Sequence, residues 1–354
     1  MINRKDEHVE LAQKFFKKDK RSDFDNLKFV YNSFAEMGLE EVDSSTSFAG
    51  LKMEQPFFIN AMTGGSFNTK AVNEKLAIVS KETGIAMASG SLSAALKDLD
   101  VRDSFEIIRK INDDGLIFAN LGAEHSIENA KRAVDILQAN ALQIHVNVVQ
   151  ELIMPEGDRN FSGWLKNIEK IIKEIEVPVI IKEVGFGMSR ETIYELINVG
   201  AKVIDISGSG GTDFATIENY RRDAGEYNYL EGFGQSTVVS LLESQPFLKN
   251  ADIIASGGVR NPLDIVKCLS LGAKGVGLSA LFLNMVLENG VENTIERINS
   301  WKEEIRVIMT LLGKKTIKEL QDTDIWLRGD LKEWCEVRGI DYKEFANRAI
   351  TIKT

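Results

Sequence analysis

The feature that most constrains the fold of this 354-residue chain is a series of eight short apolar segments, spaced too widely to form hairpins. They are rich in β-branched residues and nearly continuous in hydrophobicity, which is typical of strands buried on both faces. Segments with helical periodicity lie between them, so the pattern predicts parallel strands joined by helices. The predicted strands are Phe57–Met62, Ile85–Ala88, Leu116–Leu121, Leu142–Val148, Val179–Val184, Val203–Ser207, Asp252–Ser256 and Gly275–Leu278.

Eight strands that alternate with helices predict an α/β fold, specifically a (β/α)8 TIM barrel. The helix predicted over Pro262–Leu271 has clear boundaries, because Asn261 can cap it, Pro262 suits its first position and Gly272 suits its exit. A doubly wound open sheet is the alternative, but it usually has fewer strands and one strong switch point. The other clear helical segments are Glu128–Gln138, Trp164–Ile175 and Glu191–Val199.

Three segments do not belong to the basic barrel. Residues 1–50 form an N-terminal arm with an amphipathic stretch around Val9–Phe16, and residues 208–235 form a long loop after strand six. Residues 282–354 are predicted to contain two or more C-terminal helices. We therefore divide the chain into an arm (1–50), a barrel (51–290) and a C-terminal helical extension (291–354). A long connection on the catalytic side of a barrel more often binds ligand than fills space.

The charge balance restricts the classes of partner. The chain has 43 Lys and Arg against 53 Asp and Glu, a formal net charge of −10, which disfavours nucleic acid and anionic membranes as partners. The N-terminal sequence contains no apolar run of signal-peptide length, and no stretch is long enough to span a membrane. The two cysteines, Cys268 and Cys335, have no disulfide or zinc spacing. We expect a cytoplasmic protein.

Small and polar residues follow nearly every predicted strand, where the active sites of barrels lie. After strands seven and eight, Gly257, Gly258, Ser279 and Ala280 would let an anion approach the backbone closely, as at the common phosphate site of such barrels. Thr212 could add a hydroxyl donor. Glycine pairs also occur in ordinary turns, but three such clusters in one predicted plane favour a phosphate site.

Lys182 is a lone cation within the apolar strand VIIKEV. An inward lysine is costly unless it is paired, so we interpret it as a fixed cation that faces an electron-rich part of a ligand. Snorkelling at the barrel rim, pairing with Glu183 and a Schiff-base role remain alternatives.

The fourth strand places His145 and Asn147 on one face and continues into Gln150 and Glu151. One carboxylate with neutral partners suits Mg²⁺, which keeps waters and binds substrate phosphate oxygens, so Glu151 is the candidate metal ligand. The alternatives are that Glu151 is a helix-start acid and that His145 is a hydrogen-bonded interior residue.

Several motifs, distributed from the N-terminus to beyond the barrel, occur together in this order. In combination they make the chain resemble the type 2 isopentenyl-diphosphate isomerases, which are FMN enzymes with a (β/α)8 barrel. The matching segments are RKDEH at 4–8, NAMTGG at 60–65, QIHVN at 143–147 with Gln150-Glu151, MPEG at 154–157, KEVGFGM at 182–188, SGSGGT at 207–212, GQST at 234–237, SGGVRNP at 256–262 and Gly272-Ala273.

The resemblance implies roles for individual residues. Arg4 and Lys5 would bind a substrate diphosphate with His8 nearby, Gln150 would contact substrate, and Glu151 would bind Mg²⁺. Gln150, His145, Asn147 and Lys182 form the implied catalytic set. One departure is Phe233, where many relatives have Trp: an aromatic wall is kept but an indole N–H is lost. The residues implied to hold FMN are Ala61, Met62, Thr63, Ser91, Asn120, Lys182, Ser207, Thr212, Gly257, Gly258, Ser279 and Ala280.

The resemblance implies an isomerase that interconverts isopentenyl and dimethylallyl diphosphate with reduced FMN as the acid–base cofactor. NADPH would serve only to reduce the flavin. The main alternative is an FMN-dependent oxidoreductase of the hydroxy-acid oxidase type, which would need a histidine base and arginines for a carboxylate; the chain has three histidines. A non-catalytic flavin-binding protein and a Schiff-base aldolase are further alternatives. We expect a homo-oligomer.

Overall fold

The predicted barrel is confirmed. A computed structural model describes residues 4–17, 22–222 and 225–349, so parts of the predicted arm (1–3, 18–21) and of the C-terminal extension (350–354) lie outside the described residues. Eight parallel strands close into one barrel in chain order, with the last strand pairing with the first. The strands are Phe57–Ile59, Met87–Ala88, Ile117–Gly122, Ala141–His145, Val179–Lys182, Val203–Asp205, Asp252–Ser256 and Gly275–Leu278.

Every predicted strand is present, but several end earlier than their apolar runs. The fourth strand ends at His145, and a short helix, Val148–Ile153, begins immediately after Asn147. The chain turns at Asn147, whose backbone has φ −145° and ψ 45°. This turn brings Glu151 into the first helical turn above the barrel instead of leaving it on a strand extension.

The strands fill the barrel interior in two layers of different polarity. The lower layer is apolar: Phe58 and Phe118 contact each other edge to face at 5.6 Å, and Phe118 also contacts Phe48 of the hairpin Thr46–Phe48/Leu51–Met53. Side chains alternate along a strand, so the residue two positions later also points inward. These later residues form a polar upper layer, which contains Asn60, Asn120, Gln143, Lys182, Asp205 and Ser256.

Helices surround the barrel and cover its rim. The longest, Gly290–Leu311, packs between the helices that follow the first and seventh strands. In strand order, the helices after the strands are Phe67–Thr83; Ser93–Lys97 and Asp103–Ile111; Ile127–Leu137; Val148–Ile153 and Trp164–Glu174; Arg190–Asn198; Phe214–Arg221 and Thr237–Ser244; Pro262–Ser270; and Ala280–Glu288 with Gly290–Leu311. Short 3-10 turns occur at Asp23–Asn26, Leu39–Glu41, Leu99–Val101, Asn228–Leu230 and Gln245–Phe247.

A strand of the predicted arm and a strand of the C-terminal extension pair with each other outside the barrel. Strand Leu27–Phe29 pairs antiparallel with strand Ile325–Leu327, and helices Ile317–Leu320, Asp330–Arg338 and Tyr342–Phe345 flank that pair in sequence. Helix Arg4–Lys14 lies at the catalytic rim of the barrel, where Lys5 and His8 line the central cavity. Among the described residues, no helix combines the length and apolarity needed to cross a lipid bilayer.

Candidate active site

A cavity of about 360 Å³ opens at the C-terminal ends of the barrel strands. Its size is within the range of small-molecule and cofactor sites, roughly 300–1,000 Å³. Every residue that the sequence analysis assigned to a site lines it, with the exception of Thr63. The buried Thr63 hydroxyl lies outside the lining and has no hydrogen-bond partner among the described residues. The cavity therefore unites side chains from the N-terminal helix and from the ends of all eight strands.

Backbone N–H groups line the side of the cavity next to strands seven and eight. Gly257 and Gly258 adopt φ of 93° and 69°, in the left-handed region that favours glycine. No hydrogen bond among the described residues uses their N–H groups as donors. Helix Ala280–Glu288 starts at Ser279, whose side chain does not cap it, so its N-terminus faces the cavity uncapped. Free N–H groups and the positive end of a helix dipole are the groups that favour an anion.

Lys182 is buried, with 5 % of its surface exposed, and its ammonium group is held from three directions. Its Nζ lies 3.5 Å from Asp205 Oδ2 and donates to the Glu183 carbonyl oxygen at 2.6 Å and to Ser207 Oγ at 3.1 Å. The sequence alternative of a Lys182–Glu183 side-chain pair is therefore wrong. The Glu183 carboxylate instead accepts the backbone N–H groups of residues 185–187, and burial raises its pKa to about 7.

Asp205 is a functional-site residue that the sequence analysis missed. It is fully buried and accepts hydrogen bonds from Asn60 Nδ2 at 2.8 Å, Ser256 Oγ at 2.6 Å and the Ser207 N–H at 3.2 Å. It is the counter-ion of Lys182 on the neighbouring strand, with which it pairs in register. The available signal was the same one that identified Lys182, a single charge within an apolar strand.

His145 is neutral in this site. Its Nδ1 lies 2.9 Å from Asn120 Oδ1, and the ring lines the cavity. Burial, together with the nearby cations Lys5 and Lys182, lowers the pKa of His145 to about 3. The residue that the sequence placed in the catalytic set is therefore an uncharged hydrogen-bonding group at neutral pH.

Gln150 and Glu151 reach the cavity from the short helix after strand four. Gln150 Nε2 donates to Glu218 Oε1 at 2.9 Å, and Asn147 Nδ2 donates to Glu151 Oε1 at 2.9 Å. The other Glu151 oxygen accepts the N–H of Asp158 at 2.8 Å. Burial, followed by the charges of Glu151 and Asp158, raises the pKa of nearby Glu124. The three carboxylates thus form an acidic corner of the cavity, although no group of three or more metal-ligating side chains in metal-binding geometry occurs among the described residues.

The N-terminal helix is attached to the long loop after strand six by a charged clasp. Arg221 donates to Glu7 at 3.0 Å, to Glu156 at 2.7 Å and to Glu218 at 2.5 Å. His8 Nε2 lies 3.0 Å from buried Glu218 Oε1. Glu218 and Arg221 were missed by the sequence analysis, because each is an ordinary charge on a short helix until the arm folds over it.

The cations of this helix reach the cavity. Arg4 Nη1 lies 3.6 Å from Glu156 Oε1, and burial lowers the pKa of Lys5 to about 8, with a further contribution from Arg4. Phe233 is 54 % exposed and lies outside the lining of the main cavity, but it lines a neighbouring cavity with Gly185 and Thr212, so the aromatic wall stays a prediction.

Comparison with known proteins first gives the class. A family model described as FMN-dependent dehydrogenase matches residues 97–327. The fold is similar to a solved structure of mandelate oxidase with an FMN monooxide adduct (TM-score 0.65, 16 % identity, 91 % of this chain and 92 % of that chain covered). It is also similar to flavocytochrome b2 (TM-score 0.66, 20 % identity, 98 % and 86 % covered). The chain therefore has the barrel of the FMN-dependent dehydrogenase class.

Full-length relatives specify the family further. An isopentenyl-diphosphate delta-isomerase of Staphylococcus epidermidis is 50 % identical over 338 residues, covering 95 % of this chain and 96 % of that protein. The enzyme of the same name from Latilactobacillus sakei is 50 % identical over 336 residues, and that from Streptomyces sp. strain CL190 is 45 % identical over 351 residues. The latter covers 99 % of this chain and 96 % of the relative. The chain belongs to the isopentenyl-diphosphate delta-isomerase family.

Proposed function

We propose that this protein interconverts isopentenyl diphosphate and dimethylallyl diphosphate, with reduced FMN as acid–base cofactor and Mg²⁺ at the diphosphate. The observation that carries the proposal is the convergence on one cavity of Arg4 and Lys5 from the N-terminal helix, an uncapped helix N-terminus and the buried Lys182. A flavin and a diphosphate each need an anion site, and this cavity offers two. Full-length identity to isomerases supports the same function.

The donors at the ends of strands seven and eight fit the phosphate of FMN. The N–H groups of Gly257 and Gly258 are unused as donors among the described residues, and a side chain at Gly211 would place its Cβ 2.9 Å from Gly258 N. Gly257, Gly258, Ser279 and Ala280 would hold the phosphate, with Thr212 adding a hydroxyl. Ala61, Met62, Ser91, Asn120 and Ser207 would line the ring site, with Thr63 as the residue behind it.

Bound reduced FMN supplies a ring that can give and accept protons without net redox change. Lys182 holds a positive charge against that ring site and is kept in place by Asp205 and Ser207. Gln150, His145 and Asn147 present neutral polar groups to the reacting part of the substrate, so the cavity adds little charge of its own there. NADPH enters the proposal only as the reductant of FMN, and this role rests on the family resemblance.

The N-terminal helix would bind the substrate diphosphate. Lys5 with a pKa of about 8 is mostly protonated at pH 7, and a nearby dianion would favour its charged form further. Arg4 provides a second donor at the cavity edge, and His8 lies beside them. A chain of net charge −10 gives an anionic substrate no long-range attraction, so these local cations are needed for its affinity.

Glu151 would hold Mg²⁺ at the acidic corner. A divalent cation there would offset the charges of Glu151 and Asp158, which add to the effect of burial in raising the pKa of Glu124. Because Mg²⁺ retains waters and takes oxygen ligands from substrate phosphates, one protein carboxylate is sufficient to place it. A homo-oligomeric, cytoplasmic enzyme stays a prediction.

The decisive experiment uses the enzyme carrying reduced FMN, without oxygen, and isopentenyl diphosphate in heavy water. We expect deuterated dimethylallyl diphosphate over many turnovers with no further reductant consumed, because a proton-transfer cycle restores the flavin to its starting redox state. Turnover with oxidised FMN, or NADPH consumed in step with product, would support an oxidoreductase instead. Product without solvent deuterium would also contradict the proposal.

A further inference from the structure

A continuous line of hydrogen bonds crosses the polar layer inside the barrel from His145 to Asp205. His145 Nδ1 contacts Asn120 Oδ1 at 2.9 Å, and Asn120 Nδ2 contacts Gln143 Oε1 at 3.0 Å. Gln143 Nε2 contacts Asn60 Oδ1 at 2.9 Å, and Asn60 Nδ2 contacts Asp205 Oδ2 at 2.8 Å. Asn60, Gln143 and Asp205 are completely buried and Asn120 is 3 % exposed. Water therefore does not compete for these groups.

The direction of every bond in this line is determined at its Asp205 end. The Ala61 backbone N–H donates to Asn60 at 2.9 Å and must meet an oxygen, so the Asn60 oxygen faces that side. The Asn60 NH₂ group then faces Asp205, a carboxylate that already accepts from Ser256 and the Ser207 N–H and lies beside the Lys182 ammonium. These two constraints fix the orientation of the Asn60 amide without any assumption about His145.

The remaining amides follow from Asn60. Gln143 meets the Asn60 oxygen and must donate to it, which turns its own oxygen toward Asn120. Asn120 must donate to that oxygen, which turns its oxygen toward His145. The only group that can satisfy the Asn120 oxygen from the imidazole side is a protonated Nδ1.

We propose that Asn60, Gln143 and Asn120 are positioning residues, anchored on Asp205, that hold His145 in the tautomer with Nδ1 protonated. The Nε2 lone pair of His145 then faces the cavity and accepts a hydrogen bond from an N–H or O–H group of the bound ligand. No hydrogen bond among the described residues uses His145 Nε2, and the side chain lines the cavity. A neutral imidazole can present either a donor or an acceptor at Nε2, and this line of hydrogen bonds leaves the Nε2 of His145 only as an acceptor.

Two features of the surroundings keep this acceptor available. Burial, with Lys5 and Lys182 nearby, keeps the ring neutral at physiological pH. The line also connects His145 to Asp205, the carboxylate that pairs with Lys182. One hydrogen-bond network inside the barrel therefore orients both His145 and Lys182. The inference concerns the same cavity as the proposed function but does not depend on the identity of substrate.

The first test is the tautomer itself. The chain has three histidines, so ¹⁵N-histidine labelling of the purified enzyme, with His8→Gln and His125→Gln variants for assignment, isolates the His145 signals. We expect long-range ¹H–¹⁵N correlations to show a protonated, pyrrole-type Nδ1 and an unprotonated, pyridine-type Nε2 throughout pH 6–8. A protonated Nε2, a doubly protonated ring or an average of two tautomers would overturn the proposal. This result is independent of isomerase activity.

The second test cuts the line at Gln143, which lies outside the cavity lining. Gln143→Leu removes the acceptor that orients Asn120, and we expect the Nε2-protonated tautomer to rise from undetectable to a major species. Gln143→Glu keeps an acceptor oxygen for Asn120 in either protonation state, and we expect it to retain the wild-type pattern.

Asn112→Leu is the matched control, since Asn112 is a buried amide outside the line that donates to Ser80. It should leave the His145 signals unchanged. If Gln143 only filled space, Gln143→Glu would disturb the His145 tautomer at least as much as Gln143→Leu. A wild-type pattern in Gln143→Leu, or loss of Nδ1 protonation in Gln143→Glu, would overturn the role of the line; if Gln143→Leu does not fold, the wild-type and Gln143→Glu measurements still decide.

Discussion

At the scale of single residues, the site contains the buried charges of Lys182 and Asp205. Burying a charge costs free energy unless an oppositely charged or hydrogen-bonding partner lies next to it. Lys182 and Asp205 lie 3.5 Å apart, with 5 % and 0 % of their surfaces exposed. Removing one partner of a buried pair leaves the other charge uncompensated, which costs about 3–5 kcal/mol. The pair is therefore sensitive to any substitution, and stability must be separated from function in testing it.

Lys182→Met should lower both the free energy of unfolding and the affinity for FMN, the latter at least tenfold, because the cation at the ring site is lost. Lys267→Met is a matched control: Lys267 is similarly buried but donates to the Phe24 carbonyl outside the cavity. Flavin titration and chemical denaturation of both variants test this. Equal FMN affinity in the two variants would remove Lys182 from the flavin site.

Glu151→Gln should keep FMN binding but lose most activity at ordinary Mg²⁺ concentrations, because an amide is a much weaker ligand for this hard cation. Asn147 Nδ2 and the Asp158 N–H bind different oxygens of Glu151, so the amide of Gln can keep one of these two hydrogen bonds and loses the other at a partly exposed position. Initial rates against Mg²⁺ concentration measure the effect, with exposed Glu128→Gln as control. An unchanged Mg²⁺ dependence would leave Glu151 as an acid at a helix start and nothing more.

At the scale of elements, the N-terminal helix Arg4–Lys14 completes the cavity from outside the barrel. Leu11 and Ala12 are its only buried residues, so its position depends mainly on polar contacts. These are the Arg221 clasp to Glu7 and the hydrogen bonds that Ser66 and Asn68 donate to Asp6. An element held mainly by polar contacts can leave without unfolding the barrel. We therefore expect this helix to move when substrate enters and leaves the cavity.

Deletion of residues 1–8 should raise KM strongly and leave FMN affinity unchanged, since Arg4, Lys5 and His8 are removed but the glycine-rich anion site is intact. Arg221→Met should raise KM in the same direction by loosening the clasp. Arg222→Met is the neighbouring control, because Arg222 pairs with Glu226 instead of the helix. Steady-state kinetics and flavin titration measure both effects; wild-type kinetics in the deletion variant would show that the helix has no role in binding.

At the scale of the whole molecule, buried Glu243 joins the C-terminal segment to the barrel. It accepts hydrogen bonds from Arg190 at 3.1 Å, from Trp334 at 3.0 Å and from Arg338 at 2.8 Å. Burial alone would raise its pKa, but Arg338 and Arg190 hold the pKa at about 2. Helix Asp330–Arg338, which carries Trp334 and Arg338, therefore docks on the barrel helix Thr237–Ser244 through one carboxylate.

Glu243→Gln should destabilise the protein by about 3 kcal/mol at neutral pH, because two arginines lose their buried counter-ion. A carboxylate with a lowered pKa stabilises the fold above its unfolded pKa of about 4.5, and this contribution is lost as pH falls toward 2. Denaturation of variant and wild type should therefore differ most above pH 5 and converge below it. Exposed Glu336→Gln is the control, and a difference independent of pH would contradict the charge assignment.

The sequence by itself determined the barrel and about half of the cavity lining. Strand periodicity, helix caps and the small residues after each strand are local signals, and all eight strands and the four predicted helices were located to within a few residues. Because the C-terminal ends of barrel strands meet at one face, local strand ends were enough to predict that Ser91, Thr212 and Gly257 would line the same cavity.

Only the tertiary structure decided which polar groups meet. Asn60 and Asp205 are 145 positions apart in sequence, and barrel closure alone brings them to 2.8 Å. In the same way, the clasp of Arg221 on Glu7 requires the arm to fold back over the loop. Hydrogen bonds and ion pairs act over a few ångströms and depend on the direction of a specific partner. Hydrophobic periodicity, in contrast, can be recognised in the sequence without knowing which residues will come into contact. The sequence could therefore specify the barrel, but the hydrogen-bond line to His145 exists only after the strands have closed.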